Sequence, residues 1–286
     1  MKTRLLALDV DGTLVGPDSV VPREAREAIA AALAAGLRIC LATGRSYEET
    51  ADVWRQLPLN EPFEPLIVLG GALVSEPDTA RTLWQRSIPP GVARDYAAAL
   101  AEEGYSAMAI VDAWRHGFSY YVTDTGNVAE LRRLFFSRSK AQARFVPHLP
   151  ANGDMPDLLR ISTIVPDAQA GADLAARLRE RMGTRLTIVA LGAPNYGVRL
   201  VEAHAAGCSK FAAIQYVAQS HLIGPGRIAA VGDDANDLAM LHGAGLGVAM
   251  PHAPADVQAA ANHVASDGLP AFIHSLIAGE FDELLV

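Results

Sequence analysis

Short apolar runs alternate with amphipathic stretches along the first 70 residues of the chain. The continuous apolar run at 5–8 favours a strand buried on both faces. Residues 21–35 carry apolar side chains at helical spacing and are followed by Gly36, a helix stop signal. Ser46 and Glu49 form the capping box of a second helix. Strand-like runs at 37–42 and 65–69 complete a β-α-β-α-β order, which predicts a parallel sheet with helices on both faces.

The same alternation returns near the other end of the chain. The predicted elements there are a helix after Ser209, strands at 227–231 and 246–250, and helices at 236–242 and 254–262. Between the two ends, strand-like runs at 107–111 and 118–122 flank a predicted hairpin. A strand at 158–165, a helix at 168–181 and strands at 186–190 and 198–201 follow. We therefore expect an α/β core made of residues 1–84 and 199–286, with an α+β domain inserted at 85–198.

Composition excludes several classes of protein. The 286 residues are 50% hydrophobic, and 24 Lys and Arg against 32 Asp and Glu leave a net charge of −8. This composition is globular, and without a basic run it disfavours nucleic-acid binding. The sequence has no apolar run of ~18–20 residues for a membrane span. Asp9 and Asp11 within the first apolar region argue against a signal peptide, so we expect a cytoplasmic protein. Cys40 and Cys208 form no metal or disulfide motif and are interpreted as buried hydrophobes.

Polar groups follow each predicted core strand. They are Asp9 and Asp11, Thr43 with Gly44 and Arg45, Gly70 with Gly71, and Asp233 with Asp237. In open parallel sheets ligands bind at the carboxyl ends of the strands, so these groups predict one site. Two carboxylates ~4 Å apart repel by about 4 kcal/mol at an effective dielectric constant of about 20. A hard cation relieves that repulsion, and carboxylate and carbonyl oxygens favour Mg²⁺.

The other half of the predicted site favours an anion. Thr43, the backbone N–H groups of Gly12, Thr13 and Gly44, and Lys210 at a helix start are suitable donors to an oxyanion. Together with the acidic residues they match metal-assisted phosphoryl chemistry. A bare carboxylate pair would also suit a glycosidase, but the anion-binding groups argue against that interpretation.

Four motifs carry a family resemblance: DVDGTL at 9–14, TGR at 43–45, Lys210, and GDDAND at 232–237. In order and spacing they resemble the motifs of the haloacid dehalogenase (HAD) superfamily. Together with the insert between the second and third motifs, they resemble its Cof-type sugar-phosphatase branch. The resemblance implies a Rossmann-like parallel-sheet HAD core with an inserted α+β cap domain. It also implies that cap closure excludes water and selects the substrate.

The resemblance implies a role for each matching residue. Asp9 would be the nucleophile, and Asp11 the general acid and then the general base. Thr43 and Lys210 would hold the phosphoryl oxygens. The implied Mg²⁺ ligands are Asp9, the Asp11 carbonyl, Asp233 and Asp237. The implied substrate-binding residues are Gly12, Thr13, Gly44, Arg45, Gly71 and Asn236.

Two positions depart from the family pattern. Gly70 stands where Asn is common, and Pro251-His252 follows the last core strand where Gly-Asn is common. Both departures bear on substrate preference more than on the chemical step. In the insert, Trp114, Arg115, His116 and Tyr196 are candidate substrate contacts, although a partly packed Trp with solvated neighbours is the interpretation that their position favours.

The sequence thus predicts a Mg²⁺-dependent phosphomonoester hydrolase of small phosphorylated metabolites, sugar phosphates foremost, working as a monomer or homodimer. A sugar phosphomutase is one alternative, and it would require a sugar bisphosphate and release no net phosphate. A non-catalytic protein that binds a phosphorylated ligand is the other, and it would give no turnover.

Overall fold

The computed structural model describes residues 2–59, 63–123, 129–138, 141–150, 156–193 and 196–284. The chain divides into two compact units, Met1–Leu83 with Ser209–Val286, and Trp84–Cys208. The strands are β1 Leu5–Leu8, β2 Arg38–Leu41, β3 Leu66–Val68, β4 Leu73–Ser75, β5 Thr82–Gln85, β6 Met108–Val111, β7 Tyr120–Thr123, β8 Ala143–Val146, β9 Leu158–Val165, β10 Leu186–Ala193, β11 Val198–Ala205, β12 Ile228–Gly232, β13 Leu246–Ala249 and β14 His263–Val264. The helices are α1 Arg23–Ala34, α2 Tyr47–Trp54, α3 Pro90–Glu102, α4 Ala113–His116, α5 Ala129–Arg138, α6 Ala168–Met182, α7 Lys210–Ser220, α8 Leu238–Gly243, α9 Ala255–Ala260 and α10 Gly268–Ala278.

The first unit is built on a parallel sheet, as predicted. Its strand order is β14-β13-β12-β1-β2, and every pairing is parallel. Leu5 at the start of β1 lies opposite both Ile228 and Arg38, so the two halves of the chain meet at this strand. All four residues of β1 are fully buried, which explains why their run is continuously apolar.

The third predicted strand pairs differently from the expectation. The structure confirms a strand at β3, but β3 pairs antiparallel with β4 in a separate sheet of order β3-β4-β5. Its link to the parallel sheet is an isolated parallel bridge between Ala42 and Ile67. The chain reverses directly after β3 through Leu69, Gly70 and Gly71, which all have positive φ angles. This turn sends the chain back along β3 instead of into a crossover helix.

Local signals fix the helix starts in this unit. The capping box is present, since the Glu49 N–H donates to Ser46 Oγ and the Ser46 N–H donates to the Glu49 carboxylate. Ser209 caps α7 by accepting from the Ala212 N–H at 3.2 Å. The predicted helix at 236–242 divides into a 3₁₀ turn, Ala235–Asp237, followed by α8.

The second unit is an α+β structure with a sheet of order β10-β11-β9-β6-β7-β8. Its pairings are antiparallel except for β7 with β8, which are parallel. The predicted hairpin is β6 and β7, and α4 forms its tip, capped by Asp112 and ended by Gly117 at φ +70°. All of β11 belongs to this unit, which ends at Cys208. The domain boundary expected from the sequence lies at 198/199, at the start of β11, and stays a prediction.

A buried polar cluster lies in the sheet of the second unit. Arg160 and Ser162 of β9 lie opposite His204 and Glu202 of β11, and all four side chains are buried. Arg160 Nη1 lies 3.2 Å from Glu202 Oε1. Removing one partner of such a pair strongly destabilises the protein, because the remaining charge stays buried.

Two further observations concern the cysteines and the helices. Both cysteines are free and buried. Over the described residues, no helix has the length and apolar character that a membrane span requires.

Candidate active site

The carboxyl edge of the parallel sheet collects the chemically distinctive residues of the first unit. Asp9 directly follows β1, Thr43 follows β2 by two residues, and Asp233 directly follows β12. Because these strands are parallel, their carboxyl ends meet at one edge of the sheet. Asp237 joins them from the 3₁₀ turn after β12.

Lys210 lies at the centre of this group. Its Nζ donates to Asp9 Oδ1 and to Asp237 Oδ1, each at 2.6 Å, and to Asn236 Oδ1 at 3.4 Å. Its side chain is 1% exposed, so the ammonium is paired with carboxylates away from water. Lys210 is the first residue of α7, and the Ser209 cap fixes where that helix begins.

Asp237 is held by the main chain as well as by the lysine. Its Oδ2 accepts from the N–H groups of Asp233 at 3.0 Å and Asp234 at 3.1 Å. A side chain at Gly232 would place Cβ 2.4 Å from Asp237 Cγ, so only glycine fits there. The packing of the site therefore requires glycine at position 232. The sequence motif includes this glycine, but the reason for it is visible only in the structure.

The acidic residues outnumber their cation. Carboxylate oxygens of Asp9, Asp233 and Asp237 lie within 4.8 Å of one another, against the single charge of Lys210. Burial raises the pKa of Asp9 well above its ordinary value, and the charge of Asp237 adds to this while Lys210 opposes it. Burial and the charge of Asp237 also raise the pKa of Asp233. Burial acts to lower the pKa of Lys210, but the two aspartates outweigh it and the pKa rises.

This donor set fits a hard divalent cation. Three converging carboxylates with an excess of negative charge are the oxygen ligands that Mg²⁺ prefers. Of the four predicted metal ligands, the structure brings together the side chains of Asp9, Asp233 and Asp237. Asp11 was expected to contribute its carbonyl, and its carboxylate is not part of this group.

Asp233 has neighbours on both oxygens. Thr13 Oγ1 donates to Asp233 Oδ1 at 3.1 Å, and His252 Nε2 lies 3.6 Å from Oδ2. Gly12 has φ +79°, and a Cβ there would lie 2.2 Å from Asp233 Oδ2. The Gly12 N–H, expected to serve an oxyanion, donates to the Val15 carbonyl at 3.0 Å. Gly12 thus lets the acidic loop approach closely, and its N–H already has an acceptor.

Asp11 and Arg45 form a two-point ion pair. Arg45 Nε donates to Asp11 Oδ2 at 2.8 Å, and Arg45 Nη2 donates to Asp11 Oδ1 at 2.6 Å. Nη2 also donates to Ser19 Oγ at 2.9 Å. Sequence reasoning missed Ser19, which sits in a polar loop with no motif around it.

The loops after β2 and β3 support each other. Thr43 is fully buried, its Oγ1 accepts from the Arg45 N–H at 3.1 Å, and its carbonyl accepts from the Gly70 N–H at 2.9 Å. Gly71 has φ +94°, and a Cβ there would lie 2.2 Å from the Ser209 carbonyl oxygen. Gly71, predicted to bind substrate, packs against the residue that precedes Lys210. A Cβ at Gly44 would lie 3.9 Å from Asn236 Nδ2.

The candidate residues of the insert lie in the second unit. Trp114 is 51% exposed at the hairpin tip, and Arg115 Nε lies 3.2 Å from Asp112 Oδ2. His116 lies beside Phe118, with ring centroids 6.3 Å apart. Tyr196 packs on Phe135 with ring centroids 4.5 Å apart. Their role in substrate binding stays a prediction.

Comparison with known proteins adds to this geometry. Residues 6–268 match the model of the haloacid dehalogenase-like hydrolases. A 5-amino-6-(5-phospho-D-ribitylamino)uracil phosphatase of Bacillus subtilis, YitU, is 24% identical over 95% of this chain and 97% of its own length. The pyridoxal phosphate phosphatase YbhA of Escherichia coli is 26% identical over 96% of this chain and 99% of its own. The structure of the subclass IIB sugar phosphatase BT4131 superposes with a TM-score of 0.74 at 21% identity, covering 96% of this chain and 100% of that one.

Proposed function

The chain belongs to the haloacid dehalogenase-like hydrolase family, and we propose that it is a Mg²⁺-dependent phosphomonoester hydrolase acting through an aspartyl phosphate. One observation carries this proposal. Asp9 is buried at a strand end, paired with Lys210 at 2.6 Å, and adjacent to two further carboxylates. A nucleophilic carboxylate flanked by a fixed cation and a metal-binding cluster suits phosphoryl transfer, in which positioning and charge stabilisation dominate.

In the first step, an Asp9 carboxylate oxygen attacks phosphorus while the bond from phosphorus to the ester oxygen breaks. Asp11 donates a proton to that departing oxygen, so the product leaves as an alcohol. Lys210 holds Asp9 Oδ1, which fixes the carboxylate for attack with its other oxygen. The products of this step are the alcohol and a phosphorylated Asp9.

In the second step, water attacks the phosphorus of the aspartyl phosphate. Asp11 takes the proton from the water and the bond from phosphorus to the Asp9 oxygen breaks. Inorganic phosphate is released and the Asp9 carboxylate is regenerated. Asp11 thus returns to its starting protonation state, and one water is consumed for each phosphate released.

Charge stabilisation is shared between a cation and the chain's own donors. Mg²⁺ held by Asp9, Asp233 and Asp237 supplies Lewis-acid stabilisation of the phosphoryl oxygens when bound. Lys210 adds a permanent positive charge at the same place. Thr43 lies at the end of the neighbouring strand, and we assign to it, together with Lys210, the binding of the phosphoryl oxygens.

The proposed substrates are small phosphorylated metabolites, with sugar phosphates foremost. YitU acts on a ribityl phosphate, YbhA on pyridoxal phosphate, and BT4131 is named a sugar phosphatase. These molecules share a phosphomonoester on a small polar body. We assign the choice among such bodies to the second unit, because the catalytic groups above all belong to the first.

The test is phosphate release from p-nitrophenyl phosphate and a panel of sugar phosphates and phosphorylated cofactors, with Mg²⁺ or with chelator. We expect Mg²⁺-dependent release by the wild type and none by Asp9→Asn. Asp256→Asn, the same change at an exposed position of α9, is the matched control and should retain full activity. Release by Asp9→Asn at a rate near that of the wild type would contradict the nucleophile assignment. Turnover that needs a sugar bisphosphate and releases no net phosphate would indicate the mutase instead.

A further inference from the structure

The two hydrogen bonds between Arg45 and Asp11 fix the relative geometry of these side chains more closely than substrate binding by Arg45 would require. Both Asp11 oxygens accept from one guanidinium, at 2.8 and 2.6 Å. A planar fork that donates to both oxygens fixes the plane of the carboxylate as well as its position. A lysine at this position could not do the same, because an ammonium is a point charge.

Arg45 is the fixed member of the pair. Its side chain is 9% exposed, whereas that of Asp11 is 44% exposed. The guanidinium is also anchored by Ser19 Oγ at 2.9 Å, and the Ser19 carbonyl accepts from Gln56 Nε2 at 3.0 Å. Its main chain is tied as well, since the Arg45 carbonyl accepts from the Leu69 N–H at 2.9 Å. An anchored arginine therefore holds a carboxylate that water can reach.

The charges agree with this assignment. Burial acts to lower the pKa of Arg45, but the hydrogen bonds and charge of Asp11 more than offset it, so the pKa is raised. The guanidinium remains a cation throughout the reaction, so it takes no part in proton transfer itself. Its effect must reach the reacting atoms through Asp11.

We propose that Arg45 is a positioning residue that orients Asp11 for proton transfer, an inference that rests on the proposed function. Proton transfer uses one Asp11 oxygen, so one of the two hydrogen bonds opens in the first step. The remaining hydrogen bond keeps the carboxyl group oriented while its proton passes to the departing oxygen. Direct substrate binding by Arg45 stays a prediction, and the role through Asp11 is the alternative that the experiment below tests against it.

This role has a consequence that substrate binding or structural support would not share. A basic alkoxide, as from a sugar phosphate, leaves only with a proton, whereas p-nitrophenolate leaves without one. Loss of Asp11 orientation should therefore slow alkyl phosphates much more than aryl phosphates. Loss of a phosphate contact, or of fold stability, would slow both equally.

The experiment measures kcat/KM for p-nitrophenyl phosphate, phenyl phosphate and glycerol phosphate, because kcat/KM reports on the step that expels the leaving group. The proteins are wild type, Arg45→Gln, Asp11→Asn and the double variant. Arg45→Gln should lower kcat/KM for glycerol phosphate by about 10- to 100-fold, part of the 10²–10⁴-fold typical of general acid catalysis, and change p-nitrophenyl phosphate little. Asp11→Asn should show the same pattern, and the double variant should equal Asp11→Asn.

Two controls separate orientation from other effects. Arg23→Gln removes an exposed arginine that pairs with Glu27 on α1, and should leave all three substrates unchanged. Arg45→Lys keeps the charge but not the fork, and should behave as Arg45→Gln does. Full recovery by lysine would show that charge suffices and would overturn the orientation role.

The outcomes also distinguish this inference from the proposed function. An equal loss for all three substrates, or a double variant whose losses multiply, would overturn the role of Arg45 while the phosphatase assignment stands. Absence of Asp9-dependent phosphate release by the wild type would refute the proposed function and this inference with it. If Arg45→Gln fails to fold, Ser19→Ala serves instead, because it removes the hydroxyl that anchors Arg45. This variant should lower kcat/KM less than Arg45→Gln, with the same dependence on the substrate. An equal loss of kcat/KM for all substrates would count against the inference.

Discussion

Replacing Lys210 with methionine removes the one cation between two buried carboxylates. The ammonium lies 2.6 Å from an oxygen of Asp9 and 2.6 Å from an oxygen of Asp237. At an effective dielectric constant of about 20, each contact has a Coulomb energy of about 6 kcal/mol. Desolvation of the three ions offsets much of this, and breaking a buried pair typically destabilises a protein by about 3–5 kcal/mol. We expect Lys210→Met to lower the free energy of unfolding by that amount at neutral pH.

The loss should depend on pH in a defined direction. Without Lys210, burial and mutual repulsion raise the pKa of Asp9 further, and a folded-state pKa above the unfolded value makes stability fall as the pH rises. The destabilisation should therefore shrink toward acidic pH. Adding Asp9→Asn removes one of the uncompensated charges, so the double variant should be more stable than Lys210→Met alone at neutral pH.

The measurement is urea unfolding of the first unit followed by tryptophan fluorescence. Trp54 is buried in that unit, whereas Trp84 and Trp114 belong to the second, so Trp84→Phe and Trp114→Phe leave one reporter. Arg23→Met, on the exposed face of α1, is the control for loss of a cation. A Lys210→Met curve that superposes on that of the control would refute the reasoning, as would a double variant less stable than Lys210→Met.

Two further predictions concern packing and acid stability. Gly71→Ala should impair folding and phosphate release more than Gly36→Ala does in parallel unfolding and activity assays. Both residues have positive φ angles, but the new Cβ at Gly71 would lie 2.2 Å from the Ser209 carbonyl oxygen, whereas that at Gly36 meets open space. Equal effects of the two substitutions would show that φ strain alone matters. Burial acts to raise the pKa of Glu202, but Arg160 and neighbouring donors lower it below its ordinary 4.5, so the second unit should lose stability as the pH falls below about 4.5. In urea unfolding followed through the tryptophans of that unit, Glu202→Gln should be less stable at neutral pH and should lack this acid-dependent loss; an unchanged dependence would contradict the assignment.

The convergence of the site residues could be predicted because it depends on strand direction alone. Once the apolar runs at 5–8, 37–42 and 227–231 are assigned to one parallel sheet, Asp9, Thr43 and Asp233 must lie at one edge. Helix starts at Ser46 and Ser209 could also be predicted, since their caps are local hydrogen bonds. These features need no knowledge of what packs across from them.

Features that depend on distant partners could not be predicted. The run at 65–69 identifies a strand but not its neighbour, and only the reversal through Leu69–Gly71 makes it pair with β4. Helix α10 is apolar nearly throughout, so it lacks the alternation that identified the other helices. The partner of Arg45 was open too, because any nearby anion satisfies a guanidinium until the loops fix its direction.

Besides the Lys210 ammonium, groups that carry no charge orient two of the carboxylates of the site, which helps these carboxylates remain together despite their repulsion. Asp237 Oδ2 is fixed by two main-chain N–H groups, and Asp233 Oδ1 by the Thr13 hydroxyl. These donors would hold Asp233 and Asp237 in place whether or not the proposed Mg²⁺ is bound, so the geometry of these two carboxylates is prepared in advance. The energy for holding them comes from the surrounding fold, through glycines that admit the close approach of Asp233 and Asp237. Substituting such a glycine should therefore displace a neighbouring carboxylate and weaken binding of the proposed Mg²⁺, although every proposed ligand residue is retained.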